Sequence, residues 1–315
     1  MAHTPRHVRL GTRGSPMALW QARLIAGALQ THHGDLTTEL VVIRTTGDQN
    51  RLDPLPQIGG KGVFVKEIEE ALLRQEIDLA VHSMKDVPTT LPPGLHLAAV
   101  PPRDDVRDAF VGRAGLRLTQ ASGAWRIGTS SLRRRSQLLA RYQALQVQDI
   151  RGNVDTRLRK MRAGEVDGLV VAAAGMVRLG MQADITEYLP VEVMLPAAGQ
   201  GALGIETRVG DWVDALLQPL HDVPTARAVA AERAFLWHLG GGCTVPIAAL
   251  AQCQGTDLFL QGLVSTPDGT QHLRQEVRGP AQEAEQLGER LATQMRAQGA
   301  EAILAALTDP QHHTA

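Results

Sequence analysis

Apolar residues recur at helical spacing in some stretches and form short unbroken runs in others, and the two kinds of stretch alternate along the first two-thirds of the chain. Val8 to Thr12 reads as a strand. Ser15-Pro16 then supplies an N-cap and a proline at the first helical position. The stripe through Leu19, Leu24, Ala28 and Leu29 predicts a helix ending near Gly34. Leu36 to Arg44 is strand-like, and Phe64, Val65, Ile68, Ala71 and Leu72 predict a helix reaching Arg74. Asp78 to His82 reads as a strand, followed by a Pro/Thr-rich loop from Val87 to Gly94. The theme then repeats. Arg126 to Thr129 is a strand feeding a helix, Val147 to Arg151 is another strand, and Asp167 to Ala172 a third. Between the last two, Asn153 is placed to cap a helix that Gly164 stops. Strands alternating with helices predict parallel sheet, with ligand groups at the carboxyl ends of the strands. Arg13, Lys85, Asp86, Ser131 and Arg151 each lie just past a strand and are therefore expected to converge.

The last third changes character. Ala226 to Leu239 predicts a helix ended by Gly240-Gly241-Gly242. Strands are expected at Val245 to Ala251, Leu258 to Val264 and His272 to Val277, with a hairpin turn at Pro267-Asp268-Gly269. Helices are expected over Ala281 to Gln298 and Ala300 to Leu307. This is the pattern of a small α+β domain. No repeat of solenoid period is present, and the terminal His312-His313 pair reads as surface.

Composition narrows the class. At 315 residues, 43% hydrophobic and 21% charged, the chain is an ordinary soluble globular protein of two or three domains. The net charge is −1, yet Arg103 to Arg162 holds 14 Lys and Arg against 5 Asp. With 28 Arg and 4 Lys in the whole chain, a scattered arginine is best read as a solvated surface group. Arg133-Arg134-Arg135 is different, because it follows Gly128-Thr129-Ser130-Ser131 at a strand-to-helix junction, with Arg151 and Arg157 downstream. A helix N-terminus offers free N–H groups, and guanidinium forks grip carboxylate or phosphate. Aromatics at 3% and a near-neutral charge balance argue against nucleic acid as partner. The longest apolar run, Gly168 to Val177, is too short to span a bilayer, and the first nine residues lack an apolar leader, so no membrane partner and a cytoplasmic location are expected. Cys243 and Cys253 form neither a metal spacing nor a disulfide framework, and no metal is expected.

Four motifs remain. Gly199-Gln200-Gly201-Ala202-Leu203-Gly204 matches the dinucleotide fingerprint in letters, but it enters a strand-like stretch and is rejected. Gly59-Gly60-Lys61-Gly62 lacks the residues of a phosphate loop and reads as a glycine-rich lid. His82-Ser83-Met84-Lys85-Asp86 places polar groups at a strand end, where Asp86 is suited to stabilise a cation or accept a pyrrole-type N–H. Cys243 sits on a triple-glycine loop, where a thiol can serve as a covalent anchor; a lone cysteine is more often a small buried hydrophobe.

Taken together, these residues resemble the porphobilinogen deaminase (hydroxymethylbilane synthase) family. The likeness is carried by Thr12-Arg13-Gly14-Ser15-Pro16, Gly59 to Gly62 with Phe64-Val65-Lys66-Glu67, His82 to Pro88, Gly128 to Arg134, Arg151 to Val154, Thr156-Arg157-Leu158, Gly199 to Ala202 and Gly241-Gly242-Cys243. It runs in order from Val8 to Leu307. The resemblance implies an α/β fold of two type II periplasmic-binding-protein-like lobes plus a small C-terminal α+β domain, divided as 1–101 with 200–219, 102–199, and 220–315. It implies a transferase that joins four porphobilinogen molecules head to tail, releasing ammonia, to give hydroxymethylbilane in haem biosynthesis. The implied cofactor is a dipyrromethane held covalently by Cys243, with Lys85, Asp86, Ser131, Arg133, Arg134 and Arg157 around it. Arg13, Ser15, Phe64, Arg151, Arg157, Arg178 and Gln200 match substrate-binding positions, and Asp86 matches the catalytic carboxylate. A monomer is expected. A non-enzymatic two-lobed dicarboxylate-binding protein is the alternative; it would need neither Cys243 nor Asp86.

Overall fold

The computed structural model describes residues 7–49, 65–122, 124–241 and 245–305. Phe64, the Gly59-to-Gly62 segment, Cys243 and the His312-His313 pair lie outside the described residues. The chain begins β1 (His7–Thr12), α1 (Pro16–His32), β2 (Thr37–Val42), α2 (Thr46–Gln49), α3 (Lys66–Leu73), β3 (Leu79–Ser83) and β4 (Leu95–Ala99). It continues β5 (Asp108–Gly112), β6 (Arg126–Gly128), α4 (Leu132–Arg141), β7 (Gln146–Gln148), α5 (Val154–Arg162), β8 (Gly168–Ala172), α6 (Ala173–Arg178) and β9 (Glu187–Leu189). Next come β10 (Leu203–Arg208), α7 (Val213–Leu217) and α8 (Val223–His238). The last elements are β11 (Ile247–Gln254), β12 (Asp257–Ser265), β13 (His272–Pro280), α9 (Ala284–Ala297) and α10 (Ala300–Ala305). Contacts divide the chain into two compact units, Met1–Asp104 with Ala202–Ala226, and Asp105–Gly201 with Arg227–Ala315.

The first unit is a three-layer sandwich on the sheet β2-β1-β3-β10-β4. Successive side chains of a strand point to opposite faces. Leu79 and Val81 therefore pack with Val8, Leu10 and the helices α1 and α7, while Ala80 packs with Ile68, Ala71 and Leu72 of α3. A strand covered on both sides has no polar face to show, which is why β3 reads as an apolar run.

The second unit holds two sheets. Its five strands run β7-β6-β8-β5-β9, with α5 and α6 on one face and α4 on the other. A three-stranded antiparallel meander, β11-β12-β13, is covered by α8, α9 and α10 around the buried Phe235, Leu287 and Leu291.

The two five-stranded sheets follow one plan. In each, one strand (β1 or β6) lies between two parallel neighbours (β2 and β3, or β7 and β8), and the next strand over (β10 or β5) is antiparallel. Arg9-Leu10-Gly11-Thr12 corresponds to Arg126-Ile127-Gly128-Thr129, and Glu76-Ile77-Asp78 to Glu165-Val166-Asp167. The correspondence is physical as well as literal. Arg9 donates from its backbone N (2.7 Å) and Nε (3.1 Å) to Asp78 Oδ2, and Arg126 donates from N (3.0 Å) and Nε (3.2 Å) to Asp167 Oδ2. The duplication leaves no tandem period in the sequence, because its matching segments are short and far apart.

Several elements differ from expectation. Val147 to Arg151 is expected as strand, but β7 stops at Gln148, because β6, with which it pairs, is three residues long. Asn153 occupies the N-cap position of α5 without a side-chain capping bond. The first turn after Pro280 is 3-10, so α9 begins at Ala284. The strands β4, β5 and β9 and the short helices α6 and α7 had no clear signal in the pattern.

The β12–β13 turn links the meander to the arginine helix. Asp268 Oδ1 accepts from Thr266 Oγ1 (2.5 Å), Thr270 Oγ1 (2.9 Å) and Thr270 N (3.1 Å), closing the turn. Gly269 has φ 72°, and a Cβ there would lie 2.3 Å from Ser136 O and 2.6 Å from Ala140 N. Both neighbours are backbone atoms of α4 and cannot swing aside. Gly269→Ala should therefore cost about 2–3 kcal/mol, combining left-handed strain with the clash. Urea unfolding reads this directly; a loss below about 0.5 kcal/mol would show that the hairpin tip is not seated on α4.

Candidate functional site

In the first unit β1 and β3 run parallel in register, Leu10 opposite Leu79. Arg13, Ser15 and the segment after Ser83 therefore leave the sheet at the same edge. Ser15 Oγ accepts from Ala18 N at 3.2 Å, so its hydroxyl caps α1. Gln21 Nε2 donates to Ser83 Oγ at 2.7 Å and ties α1 to the end of β3. Met84 to Asp86 then form a single 3-10 turn, pinned by Met84 N to Ala202 O (3.0 Å) and Val87 N to Met84 O (3.1 Å). This turn presents Lys85 and Asp86, both half-buried, as is Arg13.

The second unit repeats the arrangement with other chemistry. β6 runs parallel to β7 and β8, so Ser131, Arg151 and the start of α6 share one edge. Ser131 caps α4, its Oγ accepting from Arg134 N at 3.4 Å. Arg133 and Arg134 then turn inward. Arg133 Nη1 donates to Asp108 Oδ2 at 2.7 Å and to Leu195 O at 2.8 Å. Arg134 donates to Asp108 Oδ1 from Nη2 (2.8 Å) and Nε (3.0 Å), and to Val170 O from Nη1 (3.1 Å). Both guanidinium groups are buried, and Asp108 is fully enclosed. Burial alone would raise the Asp108 carboxyl, but the charges of Arg133 and Arg134 outweigh it and hold it at about 2. The third arginine of the run, Arg135, donates elsewhere, to Val147 O at 3.2 Å.

Gln200 completes the network. Its Nε2 donates to Val106 O (2.8 Å) and Asp108 Oδ1 (3.1 Å), and its Oε1 accepts from Arg133 Nη2 (3.3 Å). The turn carrying it has positive φ at Gly199 (73°) and Gly201 (86°) and enters the strand β10, as the sequence led one to expect. Arg178 Nη2 donates to Gly201 O at 2.7 Å, and the buried Glu232 accepts from Gly199 N (2.6 Å) and Ala251 N (2.8 Å). Arg157 is half-buried, with Nε donating to Gly152 O at 2.8 Å. Burial, and then the charge of Arg134, bring it down to about 10, so it stays cationic at neutral pH.

The structure thus gathers Arg13, Ser15, Lys85 and Asp86 at one sheet edge, and Ser131, Arg133, Arg134, Arg151, Arg157, Arg178 and Gln200 around the corresponding edge of the second unit. Asp108 and Glu232 escaped the sequence reading. Asp108 opens an apolar run and Glu232 sits in an Ala-rich helix, so the only signal was an acidic residue where burial was otherwise expected.

Asp108→Asn should lower stability by about 3–5 kcal/mol, because two buried guanidinium groups lose their counter-ion. The wild-type contribution should be complete above about pH 4 and drain away as pH falls toward 2, since the folded carboxyl is depressed relative to the unfolded one. Urea titrations of both proteins between pH 3 and 7 test this. A variant as stable as the parent at pH 7 would refute the counter-ion role.

Residues 8–214 match the family model described as porphobilinogen deaminase, dipyromethane cofactor binding domain, and residues 226–297 match porphobilinogen deaminase, C-terminal domain. The porphobilinogen deaminase of Syntrophotalea carbinolica is 52% identical over 301 residues, covering 95% of this chain and 96% of that one. That of Geobacter metallireducens is 50% identical over 302 residues, covering 96% and 95%. Among solved structures, the VFT2 domain of Bordetella pertussis BvgS aligns with 74% of this chain and 93% of its own at 16% identity and a TM-score of 0.40, a likeness too loose to carry an argument. The full-length identities and the two family models agree with the motifs read above, and the chain belongs to the porphobilinogen deaminase family.

Proposed function

We propose that this chain condenses four porphobilinogen molecules head to tail, with loss of ammonia, to give hydroxymethylbilane. Family membership makes it a transferase of tetrapyrrole biosynthesis. The reading is carried by one observation: Asp86 stands on a pinned 3-10 turn at the carboxyl edge of β3, in a family whose matching model is a dipyromethane cofactor binding domain. The donor set suits such a group. Porphobilinogen-derived units bear acetate and propionate side chains, and the second unit offers Arg151 and Arg157, both half-buried, beside the capped start of α4. The Asp108 network leaves one net positive charge behind them, from two arginines and one aspartate.

When bound, the dipyrromethane supplies the nucleophilic pyrrole carbon to which substrate is joined. Cys243 is the residue we assign to hold it. Lys85, Ser131, Arg133, Arg134 and Arg157 bind its carboxylates, while Arg13, Ser15, Arg151 and Arg178 orient those of the substrate, with Gln200 and Phe64 beside them. Arg133 and Arg134 act from behind, through charge and their remaining N–H groups. Asp86 accepts pyrrole N–H and stabilises the positive charge that develops as ammonia leaves, a preorganised electrostatic role. The three-part division 1–101 with 200–219, 102–199, and 220–315, a monomeric state and a cytoplasmic location complete the reading. Among the described residues no helix is long and apolar enough to cross a membrane.

Intact-mass measurement should find an adduct the size of two linked pyrroles, absent in Cys243→Ser. An unmodified active protein, or an adduct on Cys253, would overturn the assignment. Asp86→Asn should fold normally and lose about 10²-fold or more in kcat, the scale of one removed transition-state charge contact. A rate within three-fold of the parent would remove Asp86 from the chemistry.

A further inference from the structure

The duplicated sheets provide an internal control that isolates three residues of the first unit. With Arg9 and Asp78 set against Arg126 and Asp167, β3 and β8 fall in step, since Leu79 faces Leu10 as Gly168 faces Ile127. β10 and β5 fall in step too, Ile205 facing Val81 as Phe110 faces Val170. The helices α3 and α5 end alike, Glu76 N bonding to Ala71 O (3.0 Å) and Glu165 N to Lys160 O (3.1 Å). His82 then corresponds to Val171, Glu206 to Val111 and Glu69 to Leu158. Val111, Leu158 and Val171 are buried in one apolar cluster. Glu69, His82 and Glu206 are buried as well, so the same three places hold hydrocarbon in one unit and ionisable groups in the other.

The polar trio is costly. His82 Nε2 lies 2.9 Å from Glu206 Oε2, which leaves Glu206 Oε1 buried with no partner, and Glu69 Oε1 is orphaned as well. Orphaned buried oxygens destabilise a fold, and Leu158, Val111 and Val171 demonstrate that the scaffold does not require them. What differs between the units is the turn above. β3 and β10, which carry His82 and Glu206, run directly into the Met84–Asp86 turn through Met84 N to Ala202 O. In the second unit the positions of Lys85 and Asp86 are held by Ala174 and Gly175 inside α6.

We infer that Glu69, His82 and Glu206 are positioning residues, a buried ionisable cluster that fixes the β3–β10 strand ends and so presents Lys85 and Asp86 for the reaction. The charges acting on Glu69 are those of Glu206 and His82. The other charged groups around α3 and its strands, Arg9, Asp78, Arg208 and Asp211, pair among themselves, Arg208 also donating to Leu72 O and Ile77 O at the far end of the helix. Burial, then the charge of Glu206, push Glu69 up to about 7, so it changes charge near neutrality. Above that pH Glu69 gains a buried negative charge beside Glu206 and His82, loosening the strand ends. No three His, Cys, Asp or Glu side chains among the described residues are placed to hold a metal ion, which sets this cluster apart from a metal site. The catalytic part of the inference rests on the function proposed above; the structural part does not.

The test transplants the second unit's solution into the first. Glu69→Leu, His82→Val and Glu206→Val are combined in the full chain. Unfolding, hydrogen exchange over residues 80–88 and steady-state turnover of porphobilinogen are measured from pH 6 to 9. The expected outcome is a folded protein whose residues 80–88 exchange at least ten-fold faster, with kcat down at least ten-fold and KM within three-fold. A single variant, Glu69→Gln, covers the case in which the triple variant does not fold. It should keep parental kcat at pH 6.5 and lose the alkaline decline of kcat that begins near pH 7. Unchanged exchange and an unchanged pH profile in Glu69→Gln, or parental exchange and kcat in the triple variant, overturn the inference. Should the parent itself fail to turn over porphobilinogen, the proposed function falls, while exchange over 80–88 still decides the positioning role.

Discussion

Two guanidinium groups cannot lie inside a folded unit without a counter-ion, because an isolated buried charge forfeits its hydration and receives nothing in return. Asp108 is the solution here. It occupies the first position of β5, where the antiparallel strand delivers it to the same sheet edge that α4 starts from. Both of its oxygens are engaged by Arg133 and Arg134, and Gln200 donates a third contact. Through Gln200 the network fixes the Gly199–Gly201 turn, whose carbonyl holds Arg178 and whose amide is held by Glu232. The half-exposed Arg151 and Arg157 thus stand in front of charges that cannot move, and preorganised charge is worth more than charge that must reorient on binding.

The comparison between the two units separates scaffold from chemistry. The Arg9–Asp78 and Arg126–Asp167 clamps sit at the amino ends of the strands and are alike. The candidate site residues sit at the carboxyl edge, where loops are free to vary without disturbing the sheet. The divergence is reciprocal. At the place of Asp108 the first unit has Leu203, and its N-cap Ser15 is followed by Pro16-Met17-Ala18 where Ser131 is followed by Leu132-Arg133-Arg134. At the places of Glu69, His82 and Glu206 the second unit has Leu158, Val171 and Val111. Each unit has buried a polar group where its twin buries hydrocarbon.

How much of this was legible follows from what each residue depends on. The α/β alternation could be read because runs such as Leu79-Ala80-Val81 and Gly168-Leu169-Val170-Val171 are buried on both faces, which leaves a local signature. The cap Ser15 was legible for the same reason, since an N-cap is decided within a few residues, whereas Asn153, read in the same way, takes the N-cap position without a side-chain bond. Asp108 was not, because its partners lie 25 and 26 residues away in sequence and nothing near it declares them. Nor was the inward turn of Arg133 and Arg134. A guanidinium fork fits an internal carboxylate as well as an external one, and only the fold decides which it meets. The segments β5 and β9 are short and lack alternation, so they become strands through pairing, β5 with β8 and β9 with β5, rather than through their own pattern.

The signs of the buried charge bear on the proposed chemistry. A growing chain of porphobilinogen-derived units carries permanent carboxylates along its sides and a transient positive centre at the reacting end. The second unit keeps one net positive charge behind Arg151 and Arg157. The first unit presents the carboxylate of Asp86 above a cluster with two acidic side chains and one histidine. A fixed cationic field suits the permanent anions, and a separately held carboxylate suits the transient cation. A carboxylate that gave the same stabilisation to the free protein would add nothing to the rate, because only interactions that strengthen as the positive charge develops lower the barrier.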